Sequence, residues 1–248
     1  MPVSAVDGVA RKEPDAIAGM FDAIAPRYDA LNHILSVGID RRWRRRAIET
    51  LSLRGGETIL DVCSGTADLA IAAVRRRGAR ARLVVGVDLA PRMLEIGHRK
   101  LTRAGLTTAV RLLRGDALRL PVGASRVDAV TVGFGIRNVV DPRAALAEFA
   151  RVVKPGGRVA ILEFGEPRLP GIGNLYLWYF THVLPRIGRA VSHHSTAYSY
   201  LRESVRLFPR PQQFGAWIAE AGFRDVRAVP LSLGIVYLYT GVRAAPEA

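Results

Sequence analysis

Three carboxylates stand where an adenosine-containing ligand would need them. Asp61 lies in the run Thr58-Ile-Leu-Asp-Val62, ahead of a turn of small residues, Cys63-Ser-Gly-Thr-Ala67. Asp88, 27 residues further on, closes the run Arg82–Val87, and Asp116 follows Gly115 after Val110–Leu113. A small-residue turn between strand and helix lets the backbone approach a ligand and offers free N–H groups. An acidic side chain at the end of a second strand can accept hydrogen bonds from both ribose hydroxyls. Asp116-Ala117 would put a carboxylate and a small residue beside an adenine amino group. A single Asp at a strand end is usually a turn former. Three strand ends in succession with suitable residues argue for a nucleoside site. Of the glycines in a dinucleotide fingerprint only Gly65 is present, and Ser64 and Ala67 would hold a pyrophosphate away from the backbone. The ligand class that fits is an adenosine without phosphates and with an amino-acid tail, S-adenosyl-methionine.

Other reactive side chains are sparse. Cys63 is the single cysteine, which excludes an internal disulfide and a multi-cysteine metal cluster and fits a reducing compartment. A nucleophilic cysteine needs a paired base, and transfer from a sulfonium needs no covalent enzyme intermediate, so Cys63 is expected to pack. His182, His193 and His194 are candidate bases, although a lone histidine is more often structural. They lack the spacing of metal ligands, and no metal is expected.

These groups need a parallel sheet to hold them. Short runs rich in Val, Ile and Leu, at Thr58–Val62, Arg82–Val87, Val110–Leu113, Val127–Val132 and Arg158–Glu163, alternate with helical stretches at Ala67–Arg77, Pro91–Ala104 and Pro142–Val153. That alternation predicts an α/β fold with crossover helices. Upstream, Ile17, Phe21, Ile24, Tyr28, Leu31 and Leu35 recur at helical spacing, interrupted by Pro26. A second helix carries Trp43, Ala47, Ile48 and Leu51 among Arg41, Arg42, Arg44, Arg45 and Arg46. Pro155-Gly-Gly157 reads as a turn. Gly165–Ser199 breaks the alternation with an apolar segment, Ile172–Leu184. A helix from Pro211 stops at Gly222. Asp225–Val229 and Ile235–Val242, with no helix between them, are expected to pair antiparallel at one edge.

Composition bounds the partners. The 248 residues are 49% hydrophobic and 23% charged, ordinary for a globular chain. Residues 1–14 show no signal-peptide pattern, and no apolar run reaches the roughly 20 residues of a spanning helix. The net charge is +14, from three lysines and 33 arginines against 22 acidic residues. Compositional drift explains such an excess, and so does attraction to a phosphate-rich surface, nucleic acid or anionic membrane.

Longer motifs carry a resemblance. Phe21-Asp-Ala-Ile-Ala-Pro-Arg-Tyr-Asp-Ala-Leu-Asn32, Leu60-Asp-Val-Cys-Ser-Gly-Thr-Ala-Asp68, Gly133-Phe-Gly-Ile-Arg-Asn-Val139 and Arg151-Val-Val-Lys-Pro-Gly-Gly157 fall in order along the chain, followed by Val183-Leu-Pro-Arg-Ile-Gly188 and Tyr198-Ser-Tyr-Leu-Arg-Glu-Ser-Val205. The set resembles the S-adenosyl-methionine-dependent C-methyltransferases of ubiquinone and menaquinone biosynthesis, from about Phe21 to Gly241. The Thr66-Ala-Asp68 form is closer to the demethylmenaquinone methyltransferases among them. The Asp61 turn and Pro155-Gly-Gly157 are shared by methyltransferases generally, whereas the Gly-Ile-Arg-Asn and Tyr-x-Tyr-Leu-x-Glu-Ser motifs are specific.

The resemblance implies a Rossmann-like class I methyltransferase fold: a mostly parallel seven-stranded sheet with an antiparallel C-terminal strand and an N-terminal helical lid. It divides one domain, 1–248, into a leader (1–14), a lid (15–53), a cofactor-binding core (57–164), a substrate-side insertion (165–210) and a C-terminal helix and strand pair (211–244). It implies donor contacts at Thr66, Asp88, Asp116 and Ala117, beside Gly65 of the turn. At Gly133, where some relatives have Ser, it implies a backbone contact only. The implied reaction is methylation of a ring carbon of a prenylated quinol, demethylmenaquinol to menaquinol, with a ubiquinone precursor as the alternative ring. Arg137 and Asn138, just past the fourth strand, are the expected catalytic pair: a guanidinium to stabilise a phenolate and an amide to orient the ring oxygen. Tyr28 would close over the donor or pack. An RNA methyltransferase and a non-catalytic donor-binding scaffold are the rival readings. The expected partners are the quinol and an anionic membrane surface, with no nucleic acid and with homo-oligomerisation left open. The expected location is the cytoplasm or the inner face of its membrane.

Overall fold

The computed structural model describes residues 13–36, 38–76, 78, 80–165 and 195–245. Ile172–Leu184, His182, His193, His194, the Val183–Gly188 motif and residues 1–12 of the leader lie outside the described residues.

Helices α1 (Pro14–Leu35) and α2 (Asp40–Thr50) precede the alternating part. There follow β1 (Thr58–Val62), α3 (Asp68–Val74), β2 (Leu83–Asp88), α4 (Pro91–Ala104), β3 (Val110–Arg114), β4 (Val127–Gly133), α5 (Pro142–Val152) and β5 (Val153–Phe164). After α6 (Ser195–Leu207) come α7 (Pro211–Glu220), β6 (Phe223–Leu231) and β7 (Val236–Arg243). The seven strands form one sheet in the order β3-β2-β1-β4-β5-β7-β6, in which only β7 runs antiparallel to its neighbours.

Both faces of the sheet are covered, which is why its strands read as near-continuous apolar runs. One face buries Ile59, Val84, Val110, Ala129 and Leu162 against Trp43 and Ile48 of α2, Leu69 and Ala73 of α3, and Leu101 of α4. The other buries Leu60, Val62, Val130, Val132 and Ile161 against Leu146 and Phe149 of α5 and Phe214 and Ile218 of α7. The period-2 alternation within each strand divides neighbouring residues between the two cores.

The observed elements correct several boundaries. Pro26 does not interrupt the first helix; it sits inside α1 on an exposed position, where loss of one intrahelical bond is tolerable. Pro155-Gly-Gly157 is not a turn ahead of the fifth strand: β5 starts at Val153 and runs through it, with a register shift against β4 between Val127 and Ala129. The helix after β1 is shorter, starting at Asp68 behind a left-handed Ala67 (φ 69°) and ending at Val74. Helix α6 lies largely in a segment without a legible element. Among the described residues no helix is long and apolar enough to cross a membrane.

Candidate active site

In an open parallel sheet a ligand binds beyond the carboxyl ends of the strands, where the strand order reverses. Here the reversal lies between β1 and β4. The turns leaving these strands are stitched to their neighbours: Ser64 N–H donates to the Val87 carbonyl (3.1 Å), Gly115 N–H to that of Asp88 (3.0 Å), and Phe134 N–H to that of Leu162 (2.8 Å). Between them opens a cleft lined by the ends of these strands and by helix α1.

The backbone around it is unusual. Cys63 (φ 55°), Gly65 (φ 53°), Ala67 (φ 69°) and Phe134 (φ 63°) all take left-handed conformations. For the three that are not glycine this costs roughly 1–3 kcal/mol each and persists only where the surroundings enforce it. Phe134 is held by its ring, 4.6 Å from that of Phe164 and 6.1 Å from that of Trp43, with the Arg44 guanidinium over its face at 5.9 Å. Gly135 is required for a different reason: a Cβ there would collide with the Cys63 Cβ. The β1 and β4 turns therefore pack backbone to side chain with no slack.

Five expected donor contacts border the cleft: Gly65, Asp88, Asp116, Ala117 and Gly133. Asp88 accepts from the backbone N–H of Gly65 (2.8 Å) and of Ala90 (2.9 Å). Burial outweighs these bonds and pushes its pKa up. Asp116 accepts from the Leu118 N–H at 2.9 Å. The surroundings are electronegative. Burial, and then the charges of Asp88, Asp61, Glu163 and Asp116, push the Cys63 thiol well above its ordinary range. Cys63 is therefore a neutral wall of the cleft, not a nucleophile. Asp61 lies behind that wall; its Oδ1 accepts the Thr131 hydroxyl at 2.7 Å, and burial raises its pKa to about 7.

Helix α1 closes one side of the cleft with Pro14, Ile17, Ala18, Phe21 and Tyr28. The Phe21 and Tyr28 rings meet edge to face at 6.0 Å. Arg92 N–H donates to Asp22 at 2.9 Å and ties α1 to the start of α4. Burial raises the Tyr28 pKa, so its phenol remains a neutral hydrogen-bond donor.

Two expected residues are placed elsewhere. Thr66 does not border the cleft; it is buried, and its hydroxyl donates to Asp29 of α1 at 2.5 Å. Arg137 also stands behind the wall. Its guanidinium pairs with the fully buried Glu163 (2.8 Å), donates to the Phe134 carbonyl and to the Ser204 hydroxyl (3.3 Å), and lies over the Phe164 ring at 5.3 Å. Its own N–H also donates to Glu163, at 3.2 Å. Ser204 and Tyr200 lie one helical turn apart on α6. Burial first, then the Arg137 and Glu163 charges, set the Tyr200 pKa at about 12. The Gly-Ile-Arg-Asn and Tyr-x-Tyr-Leu-x-Glu-Ser motifs thus meet in one buried polar cluster. Asn138, at the end of the 3₁₀ turn Ile136–Asn138, does face the cleft; its Oδ1 is buried without a partner among the described residues.

Sequence reasoning missed Phe134, Gly135 and the Asp29–Thr66 contact. Only the small residues flanking Phe134 hinted at a tight turn. No group of metal-ligating side chains occurs among the described residues.

Known proteins share the motifs and the fold. The sequence profile of the ubiE/COQ5 methyltransferase family matches residues 9–243. The chain is 47% identical over 227 residues to the ubiquinone/menaquinone biosynthesis C-methyltransferase UbiE of Syntrophotalea carbinolica, covering 92% of this chain and 94% of that one. It is 46% identical over 224 residues to the demethylmenaquinone methyltransferase of Thermus thermophilus, covering 90% and 100%. Among solved structures, a SAM-dependent methyltransferase from Aquifex aeolicus superimposes with a TM-score of 0.56 at 19% identity, covering 80% of this chain and 87% of that one, which speaks for the fold alone. Motifs, sheet order and profile converge: the chain belongs to the ubiE/COQ5 methyltransferase family.

Proposed function

We propose that this chain methylates a ring carbon of a prenylated quinol in isoprenoid quinone biosynthesis, demethylmenaquinol to menaquinol, with S-adenosyl-methionine as donor. The observation that carries the reading is the mixed lining of the cleft. Asp88, Asp116 and the small residues Gly65, Ala117 and Gly133 suit an adenosine. Phe21, Phe134, Val139 and Val140 add apolar surface, and Asn138 adds one buried unpartnered acceptor, its amide oxygen. A buried acceptor without a donor costs about 1–3 kcal/mol, and a ring hydroxyl would satisfy it.

S-adenosyl-methionine, when bound, supplies an electrophilic methyl on a cationic sulfonium. The carboxylates around Cys63 favour that cation. Asp88 takes the ribose hydroxyls, Asp116 and Ala117 read the adenine, and Gly133 offers backbone. Asn138 accepts a hydrogen bond from the ring hydroxyl and fixes the ring's rotation; as the ring carbon takes the methyl and the S–CH3 bond breaks, Tyr28 donates to the charge on the ring oxygen, and the one net proton displaced passes to solvent at the cleft mouth. The apolar walls exclude water, and orientation supplies most of the rate. Arg137 acts through Asn138: pinned by Glu163 and Ser204, it holds the turn Ile136–Asn138 in register. The parts of the chain then divide as a lid (15–53), a donor-binding core (57–164), a substrate-side insertion (165–210) and a C-terminal unit (211–244). Thr66 shapes the donor turn from behind.

A prenylated quinol resides in the bilayer, so the chain works at the cytoplasmic face as a peripheral protein. Exposed Arg41, Arg42, Arg45 and Arg46 on α2 support contact with anionic lipid, and salt-sensitive co-sedimentation with anionic vesicles is the expected result. Labelled S-adenosyl-methionine offered with demethylmenaquinol, a demethylated ubiquinol precursor and bulk RNA tests the reading. Label in demethylmenaquinol is expected, and label in RNA alone would overturn it.

A further inference from the structure

Away from the cleft, one ammonium gathers three acceptors. Lys100, in the last turns of α4, donates to Asp29 Oδ2 of α1 (2.7 Å), to the Thr66 hydroxyl (3.1 Å) and to Asp68 Oδ1 at the start of α3. The Thr66 hydroxyl in turn donates to Asp29 Oδ1 at 2.5 Å. We propose that Lys100 is a positioning residue for the methyl donor: it fastens the lid helix to the turn after β1 and so sets donor affinity. The inference rests on the reading of the cleft as an S-adenosyl-methionine site.

Asp29 directly follows Tyr28, which lines the cleft from the lid, and Thr66 directly follows Gly65, which lines it from the sheet. A tie between residues 29 and 66 therefore fixes the two walls relative to each other. Without Lys100, two carboxylates would crowd one hydroxyl. Arg44 is already paired with Asp40 and reaches Asp68 Oδ2 at 3.6 Å. Like charges in a half-buried site would push α1 away from the turn.

The residue type is informative as well. A chain with 33 arginines and three lysines has a lysine here. An ammonium directs three N–H bonds tetrahedrally from one atom toward acceptors that converge on it, whereas the donors of a guanidinium lie in one plane and are spread over three nitrogens. Lys100→Arg is therefore expected to fail as a replacement.

The test uses the full chain, with calorimetric affinity for S-adenosyl-methionine and steady-state rates on the quinol. Lys100→Met should raise Kd and the donor KM about tenfold or more. Its kcat at saturating donor should stay within about twofold. Asp29→Asn added to Lys100→Met should recover much of the loss, because it removes the repulsion, a rescue that a merely structural lysine would not allow. Lys100→Arg, the milder variant should Lys100→Met not fold, should still raise Kd about fivefold or more. Wild-type affinity in either single variant, or no recovery in the double variant, overturns the role of Lys100. Absence of donor binding by the wild-type chain would instead overturn the reading of the cleft.

Discussion

Replacing Arg137 with alanine should unfold the protein more readily before it says anything about chemistry. The side chain is buried against Glu163, which has no exposed surface, and the two meet at 2.8 Å. Truncation leaves a buried carboxylate without its counter-charge and strips the Phe134 carbonyl and the Ser204 hydroxyl of a donor. Breaking a buried ion pair by removing one partner costs about 3–5 kcal/mol. In a chain of this size each kcal/mol is worth roughly 2–4 °C, so the melting temperature should fall by roughly 6–20 °C. Urea denaturation followed by circular dichroism measures the loss directly. Because the damage is an orphaned charge, Arg137→Met combined with Glu163→Gln should be about 2 kcal/mol more stable than Arg137→Met alone. Gln keeps one acceptor oxygen, enough for one of the two backbone N–H groups, of residues 137 and 164, that Glu163 now serves through its two oxygens. An Arg137→Ala protein within about 1 kcal/mol of wild type would refute the positioning role.

Three further outcomes follow from the same geometry. Asn138→Ala should lower kcat about tenfold or more while donor Kd stays within a few-fold, if Asn138 serves the acceptor ring as proposed; unchanged turnover would make the turn purely structural. Asp88→Ala should weaken S-adenosyl-methionine binding by about 2–4 kcal/mol, read by calorimetry on the folded variant; wild-type affinity would end the ribose assignment. Asp61 should set a pH dependence of stability. Its folded pKa of about 7 lies above the ordinary 3.8, so the folded state holds a proton that the unfolded state has released. Stability is therefore fully present below about pH 4 and lost as pH rises toward 7, by about 4 kcal/mol in all. Asp61→Asn should flatten that decline in melting temperature between pH 4.5 and 8, and parallel curves would contradict the shift.

What was legible in the sequence follows from what is local. The parallel strands could be read because burial on both faces leaves Val-, Ile- and Leu-rich runs, and Thr58–Val62 and Pro91–Ala104 fall within their expected bounds. Asp88 and Asp116 could be placed because a strand end fixes its last side chain at the sheet's carboxyl edge. What could not be read depends on pairing at a distance. Arg137 and Asn138 are neighbours in a 3₁₀ turn and so face different ways, and nothing local says that Glu163 and Ser204 claim the arginine. Thr66 is drawn toward the lid by Asp29, 37 positions away. Helix α6 turns Ser204 inward onto Arg137, 67 positions away, a pairing that no local pattern announces.

The central claim is methylation at a ring carbon in a cleft that orients the ring through Asn138. Its most direct test supplies S-adenosyl-methionine with a deuterated methyl and demethylmenaquinol, then locates the deuterium in the product by mass spectrometry and nuclear magnetic resonance. The account predicts the label on the ring carbon next to a hydroxyl, both hydroxyls remaining free. Label on a ring oxygen, or an unlabelled quinol despite measured donor binding, would contradict it.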